Sequence, residues 1–399
     1  MDKIKIRKYL RLAIVVVVSM IVGSVITIFI KNDNKIINTK VVKGYSKNAN
    51  FDALYEAYDA IMKDYYKDVD SDKLVNGAIN GMMQSLEDQH TMFFNEEQKD
   101  DFDTELSGQY YGIGAQIQWV EENKVQIIKI FDGAPAEKAG FKVGDIFVSI
   151  DGKSTDGLDA NGVANILRSD KVSTSKVIVN RDGEEIEIEV TKANVTLFSV
   201  SSEILEANDK KVGYISVSLF GQKTYDQFQD ALNKLEKRKI DSLIIDLRGN
   251  SGGYLTTVTD MLELFSKKGQ VLYKIESSNG IREYKSTKNN EKNYKIIVLI
   301  DQSSASASEI MSAALKENLN ATLVGKTTFG KGTVQVTKNL KNGTMIKYTI
   351  EKWLTPNGNN IDGEGVKPDF DIDLTEEYIN NPTRENDSQL RKAIELLKE

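Results

Sequence analysis

The longest apolar run comes early in the chain. Residues 12–30, LAIVVVVSMIVGSVITIFI, are 19 consecutive positions without a charge. As a helix they would span about 28 Å, close to the ~30 Å hydrocarbon thickness of a bilayer. No polar face interrupts the run, which argues against a buried soluble helix. A cleaved signal peptide has a shorter apolar region and a small-residue exit. The exit here is ITIFIKNDN, so the pattern predicts an uncleaved transmembrane helix, followed by a polar, lysine-rich linker over 31–48.

Beyond the linker the period changes twice. Phe51, Leu54, Tyr55, Tyr58, Ile61, Met62 and Tyr65 recur at helical spacing. So do Leu74, Val75, Ala78, Ile79, Met82, Met83 and Leu86, with Ser71 or Asp72 as the expected N-cap. Residues 49–105 therefore read as a helical unit, expected to pack on the main body or to serve as a dimerisation arm. Over 106–195 the period becomes two. GIGAQIQWV and KVQIIKIF alternate like strands, and KVIVNRDGEEIEIEV reads as a hairpin turning at Asp182-Gly183. Between them lie a short helix opened by Pro135 and closed by Gly140, and a second helical stretch near 159–168. From 196 to 373 strands alternate with helices. KVGYISVSLF precedes an amphipathic helix, and SLIIDL and KIIVLI are continuous apolar strands, each followed by a helix. That order predicts an α/β core with a buried parallel sheet. The tail, 374–399, is charged and expected to be helical.

Charge orients the first segment. Residues 1–31 carry Lys3, Lys5, Arg7, Lys8, Arg11 and Lys31 against Asp2, a net of +5, while the whole chain is −7, leaving −12 on the remainder. The positive-inside rule then places residues 1–11 in the cytoplasm and everything after Lys31 outside. So acidic a body argues against nucleic acid as a partner. The chain has no cysteine, which excludes a thiol protease, a disulfide frame and a Cys-ligated metal. His90 is the only histidine, so a multi-histidine zinc site is excluded as well.

Open α/β sheets form sites outside the carboxyl ends of their strands. Three loops qualify: DLRGNSGGY (246–254), DQSSASASE (301–309) and GKTTFGKGTVQ (325–335). The second sets Ser303, Ser304, Ser306 and Ser308 where a strand turns into a helix. Serine there is either a plain N-cap or a nucleophile that profits from unpaired N–H groups and the helix dipole. A serine nucleophile needs a base. His90 is one candidate; a lysine is another, provided burial lowers its pKa. Lys331, between Gly330 and Gly332, and Lys326 compete for that role, and solvated surface positions are the bland reading of both. Gly252 and Gly253 serve either a tight turn or a backbone N–H aimed at a substrate carbonyl.

Together SLEDQHTMFF, GQYYGIGAQI, APAEKAGFKVGDIFVSIDG, DLRGNSGG, SASASE and TFGKGTVQ, in this order, resemble the carboxy-terminal processing (tail-specific) proteases of bacteria over residues ~50–372. The resemblance implies an α/β fold: a crotonase/Clp-protease-like protease core with an inserted, β-rich PDZ-like domain and an N-terminal helical unit, to which the apolar run at 12–30 adds one transmembrane helix. It implies Ser306 as nucleophile, Lys331 as base, Gln335 orienting that lysine, and the N–H groups of Gly252 and Ala307 as the oxyanion hole. It implies carboxylate capture by the loop Tyr111-Gly112-Ile113-Gly114, and a role for Arg168 in coupling peptide binding to the active site. No metal, nucleotide or other cofactor is implied. Departures from the family pattern are Ser303 in place of a common glycine, SDKVSTS in place of a glycine-rich turn after Arg168, and His90 in place of an aromatic residue. The expected protein is thus a membrane-anchored, extracytoplasmic serine endopeptidase with a Ser-Lys dyad, acting on protein C-termini, with a homodimer as a further expectation. The competing readings are a membrane-tethered PDZ adaptor with an inactive core and a crotonase-like thioester enzyme.

Overall fold

The computed structural model describes residues 51–120, 124–168, 173–207 and 209–398. The predicted transmembrane segment, 12–30, lies outside the described residues, and no described helix is long and apolar enough to cross a membrane. The chain divides into two units, residues 1–78 and 79–399. The first contains α1 (Phe51–Asp64) and the start of α2 (Ser71–Gln84). Neither helix has a buried residue. The cap of α2 is neither Ser71 nor Asp72. Asp70 accepts from the Asp72 and Lys73 N–H groups at 2.9 and 3.1 Å, satisfying donors that a helix start leaves unpaired.

The second unit opens with the end of α2, followed by a loop, β1 (Met92–Phe94) and α3 (Glu96–Ser107), which has a full capping box from Asn95 and Gln98. β2 (Gln109–Gly112) leads into the β-rich domain and β9 (Ala193–Thr196) leads out of it; the two pair antiparallel, closing the insertion at its neck. Inside lie β3 (Ala115–Val120), β4 (Lys124–Ile130), α4 (Pro135–Ala139), β5 (Ile146–Ile150), β6 (Lys153–Ser154), α5 (Ala160–Arg168), β7 (Thr174–Arg181) and β8 (Glu184–Thr191). The sheet runs β3-β4-β5-β7-β8, antiparallel throughout. Its buried face carries Ile127, Ile150, Val177 and Val179 under Val163 and Leu167 of α5. Asp182 and Gly183 both take positive φ (53° and 92°), the backbone a two-residue hairpin needs to match strand twist.

The core comprises β10 (Val200–Ala207), β11 (Lys210–Val217), α6 (Thr224–Lys237), β12 (Ser242–Asp246), α7 (Leu255–Glu263), β13 (Val271–Ser277), β14 (Gly280–Lys285), β15 (Lys295–Ile300), α8 (Ala307–Leu319), β16 (Thr322–Gly325), β17 (Thr333–Asn339), β18 (Met345–Leu354), β19 (Phe370–Asp371), α9 (Glu376–Asn380) and α10 (Ser388–Leu396). One sheet is ordered β10-β11-β12-β15-β16-β19, parallel from β11 onward. All five residues of β12 are buried, as its uninterrupted apolar run requires of a strand covered on both faces. Helices α6, α7 and α8 cover one face through Phe228, Leu232, Met261 and Met311. The charged tail covers the other: α10 buries Leu390, Ala393 and Leu396 against Ile244, Ile297 and Leu299. Arg248 locks it there, bonding Asp246 at 2.6 Å and Asp387, the α10 N-cap, at 2.8 Å. A second sheet, β1-β18-β13-β14 with β17 on β18, is antiparallel.

Candidate active site

The three loops expected from the strand ends converge. Asn250, fully buried after β12, is the staple between two of them. Its Nδ2 donates to the Val217 carbonyl at 2.8 Å, and its own carbonyl accepts from the Ala305 N–H at 3.0 Å and Ser308 Oγ at 2.8 Å. Gly252 is obligatory here, because a Cβ on it would stand 2.8 Å from the Ala305 carbonyl oxygen and 2.9 Å from Ser306 Cβ.

These contacts separate the four serines. Ser303 is exposed. Ser304 is fully buried, its hydroxyl on the Leu247 carbonyl at 2.8 Å. Ser308 is buried on Asn250. Ser306 alone of the four lines a cleft of about 770 Å³, together with Gly253, Ala307, Lys331 and Gln335. It precedes the first residue of α8 with φ 54° and ψ −111°, a conformation costing a non-glycine residue of order 1–3 kcal/mol. Such strain persists only where the surroundings over-determine it, and active sites are where it collects.

The lysines separate as cleanly. Lys326 is held by Asp371 at 2.5 Å and Asp373 at 3.0 Å, contacts that raise its pKa. Lys331 faces the cleft. Burial, reinforced by repulsion from Lys347 and opposed by Glu309 and Asp88, lowers its amine to about 8. Its loop hugs the segment 361–365: a Cβ at Gly332 would stand 2.6 Å from Asp362 Cβ, and the Gly330 carbonyl accepts from the Gly363 N–H at 2.8 Å.

Glu309 ties the serine and lysine loops together. This side chain is fully buried and accepts four hydrogen bonds: Ser306 N–H (2.8 Å), Lys331 N–H (2.9 Å), Gly330 N–H (2.7 Å) and Thr328 Oγ1 (2.6 Å). Sequence reasoning gave it no role. The pattern Ser-x-x-Glu at a helix start was a capping-box signal for one of the four bonds, and the other three come from a strand end far along the chain.

Other expected residues fall differently. The Gly252 N–H donates to Asn250 Oδ1 at 2.9 Å, so it is not free for an oxyanion in this arrangement; Gly253, not Gly252, lines the cleft. The Asx-type bond that shapes the turn is the reason. Ala307 does line the cleft. Gln335 lies in the cleft wall, its amide nitrogen bonded to Thr333 and Thr349 rather than to Lys331. His90 stands by Phe329, ring centroids 6.4 Å apart, and does not line the cleft with Ser306. Its imidazole is lowered by burial and by Lys331. The hydrogen bonds that reach Ser306 and Lys331 run through their main chains, and none joins the hydroxyl of one to the amine of the other.

In the β-rich domain, Gly112 and Ile113 line a groove of about 300 Å³ with Tyr110, Ile117, Ala164 and Leu167; Tyr111 and Gly114 do not. Tyr111 is drawn into the neck by pairing with Asn194. Gly114 (φ 79°) backs onto Ala134, which a Cβ would approach to 2.3 Å. Arg168 ends α5, and the role expected of its side chain lies outside the described residues. Among the described residues no group of three or more His, Asp or Glu converges on a metal-sized site.

Three family models match the chain: peptidase family S41 over residues 211–372, a PDZ domain over 111–191, and the N-terminal domain of the activating protease CtpB over 19–98. The carboxy-terminal processing protease CtpA of Bacillus subtilis is 36% identical over 370 residues, 92% of this chain and 78% of that protein. The chain belongs to peptidase family S41. It is a PDZ-containing carboxy-terminal processing protease, a serine peptidase. The carboxy-terminal processing protease CtpB of the same organism is 38% identical over 334 residues, covering 83% of this chain and 69% of that protein. The fold matches the crystal structure of a Bacteroides fragilis protein assigned to the S41 proteases, with TM-score 0.52 and 16% identity, covering 80% of this chain and 90% of that one.

Proposed function

We propose that this S41 peptidase is anchored in the cell membrane by residues 12–30 and cleaves extracytoplasmic proteins near their C-termini through a Ser306–Lys331 dyad. The observation that carries this reading is the cleft that gathers a backbone-strained serine and a lysine lowered to about 8. Serine is a poor nucleophile until a base takes its proton, and an amine near neutrality can do so. Neutral Lys331 accepts the proton of Ser306 as Oγ attacks the scissile carbonyl. The amine then returns the proton to the leaving nitrogen, and water releases the acyl-enzyme. The developing oxyanion meets the N–H of Ala307 at the start of α8, where the helix dipole favours negative charge. Release of the Gly252 N–H from Asn250 supplies a second donor.

Two features describe a site at rest: the unjoined dyad and the committed Gly252 N–H. Coupling to the PDZ groove supplies the drive to assemble it, since a ligand shifts an equilibrium only through its preference for one state. The helix α3 is placed for this, giving Thr104 to the groove and Leu106 to the cleft. The apolar groove suits an extended chain end added beside β3, with its carboxylate at the Gly112-Ile113 turn. Amidating the C-terminus of a substrate peptide is therefore expected to lower kcat/KM at least ~10-fold, a difference of about 1.4 kcal/mol. Equal turnover of the acid and the amide would remove the PDZ domain from substrate selection.

Protonated Lys331 cannot accept a proton, so activity is lost as pH falls through the amine's value and is complete above it. The expected profile of kcat/KM inflects near 8 and falls about tenfold per pH unit below that. Stability follows the same sign. The unfolded chain holds this proton up to about 10.5, so folding is favoured progressively as pH rises from about 8 toward 10.5. Lys347→Met, which removes the repelling ammonium, should move the inflection upward and reduce activity at pH 7 several-fold. A profile that is flat between pH 6 and 9 would refute the lysine base.

A further inference from the structure

Gln335 is placed by β-sheet geometry. It stands across from Thr349 in the β17–β18 ladder, just after a bulge between Val334 and Gln335 that re-aims the side chain. Its amide nitrogen donates to Thr333 Oγ1 at 2.8 Å and to Thr349 Oγ1 at 3.1 Å. Thr349 in turn donates to Asp88 Oδ2 at 2.6 Å, in the loop before β1. Asp88 also accepts from Thr91 Oγ1 at 2.6 Å and from the His90 N–H at 2.9 Å.

The direction of these bonds follows from chemistry. A carboxylate has no proton to give, so the one hydroxyl proton of Thr349 must go to Asp88. Thr349 is left with lone pairs toward Gln335, and only the NH₂ end of the amide complements them. Both amide protons are then used by the two threonines, and the carbonyl oxygen is the end left over for the cleft that Gln335 shares with Lys331. We propose that Asp88 and Thr349 are positioning residues of the reaction, a proton-ordering relay that holds Gln335 with its carbonyl oxygen, not its NH₂, available to the amine of Lys331. An oxygen there accepts an N–H of Lys331 and leaves the amine's lone pair for Ser306, then receives the ammonium once the proton has moved. A flipped amide would offer N–H donors and compete for that lone pair. Asp88 is suited to its end of the relay: burial pushes its carboxyl up, but the bonds from Thr349, Thr91 and His90 outweigh this and hold it below the usual carboxylate range. The assignment rests on Lys331 being the base.

Lys331, Lys347 and His90 are the charged or titratable groups that face Asp88. Replacing Asp88 therefore alters charge as well as the relay, and Thr349→Val is the cleaner test. On the full-length enzyme it is expected to lower kcat about 10- to 100-fold with KM unchanged, the scale of losing an oriented acid–base partner. Thr349→Ser, which keeps the hydroxyl, should stay within about threefold of wild type. In a Gln335→Ala background Thr349→Val should have no further effect, because residues acting through one group are not additive. A kcat for Thr349→Val within twofold of wild type, or a full loss on top of Gln335→Ala, overturns the relay. Should the valine variant melt well below wild type, Asp88→Asn with and without Gln335→Ala decides by the same criterion of additivity. Loss of activity in Lys331→Ala with unchanged Thr349→Val would sink the relay alone. Retained activity in Lys331→Ala would instead remove the base on which it rests.

Discussion

Alanine at Ser306 is expected to reduce peptide cleavage by about 10⁴-fold or more while leaving peptide binding by the PDZ domain intact. The Oγ atom is the proposed nucleophile, and no other serine of its loop replaces it. Ser304 and Ser308 have hydroxyls committed to the Leu247 and Asn250 carbonyls, and Ser303 is outside the cleft. Lys331→Ala is expected to lose as much, and the double variant little more, since the two act as one unit. The fold should be undisturbed by Ser306→Ala, because the bond that holds this residue is made by its N–H to Glu309. Mass spectrometry of C-termini among extracytoplasmic proteins, wild type against Ser306→Ala, reads the effect in the cell. Termini that persist unchanged in the variant would place the activity on another residue.

Loss of Glu309 should be the most damaging change to stability. Glu309→Ala leaves three backbone N–H groups and the Thr328 hydroxyl without the fully buried acceptor they share. Each buried unsatisfied group costs ~1–3 kcal/mol, so a total of roughly 3–5 kcal/mol is expected after partial relaxation. Glu309→Gln should be nearly as harmful. Its NH₂ group must face either Gly330 N–H or the pair Ser306 and Lys331 N–H, donor against donor in both orientations. Because these bonds join the loop of Ser306 to the loop of Lys331, the proposed nucleophile and base, activity should fall even where the variant remains folded. Urea denaturation gives the first quantity and kcat at saturating peptide the second. A stability change under about 1 kcal/mol for Glu309→Ala would show that the two loops are held by something else.

The physical reason that some of this was legible in sequence is range. A hairpin at Asp182-Gly183, a helix behind Pro135 and strand-to-helix turns at 246–254 and 301–309 are each specified by residues a few positions apart. The N-cap of α2 went to Asp70, one or two residues earlier than the expected Ser71 or Asp72, because all three are capping types and side-chain geometry decides among them. Tyr110 lines the groove of the β-rich domain in place of Tyr111 because strand pairing with β9 sets which side of β2 is inward.

By itself the sequence determined the periods, hence the helical unit, the β-rich insertion and the α/β core, together with the loops where chemistry would gather. Spacing left open which serine of four and which lysine of two would enter the cleft; the family resemblance pointed to Ser306 and Lys331, and the tertiary contacts are what set them apart. Tertiary structure decided too that Asp88 reaches Thr349 across 261 positions. Period is a property of neighbours along the chain, whereas burial, pKa and the direction of a hydrogen bond belong to whatever distant segment folds against the group.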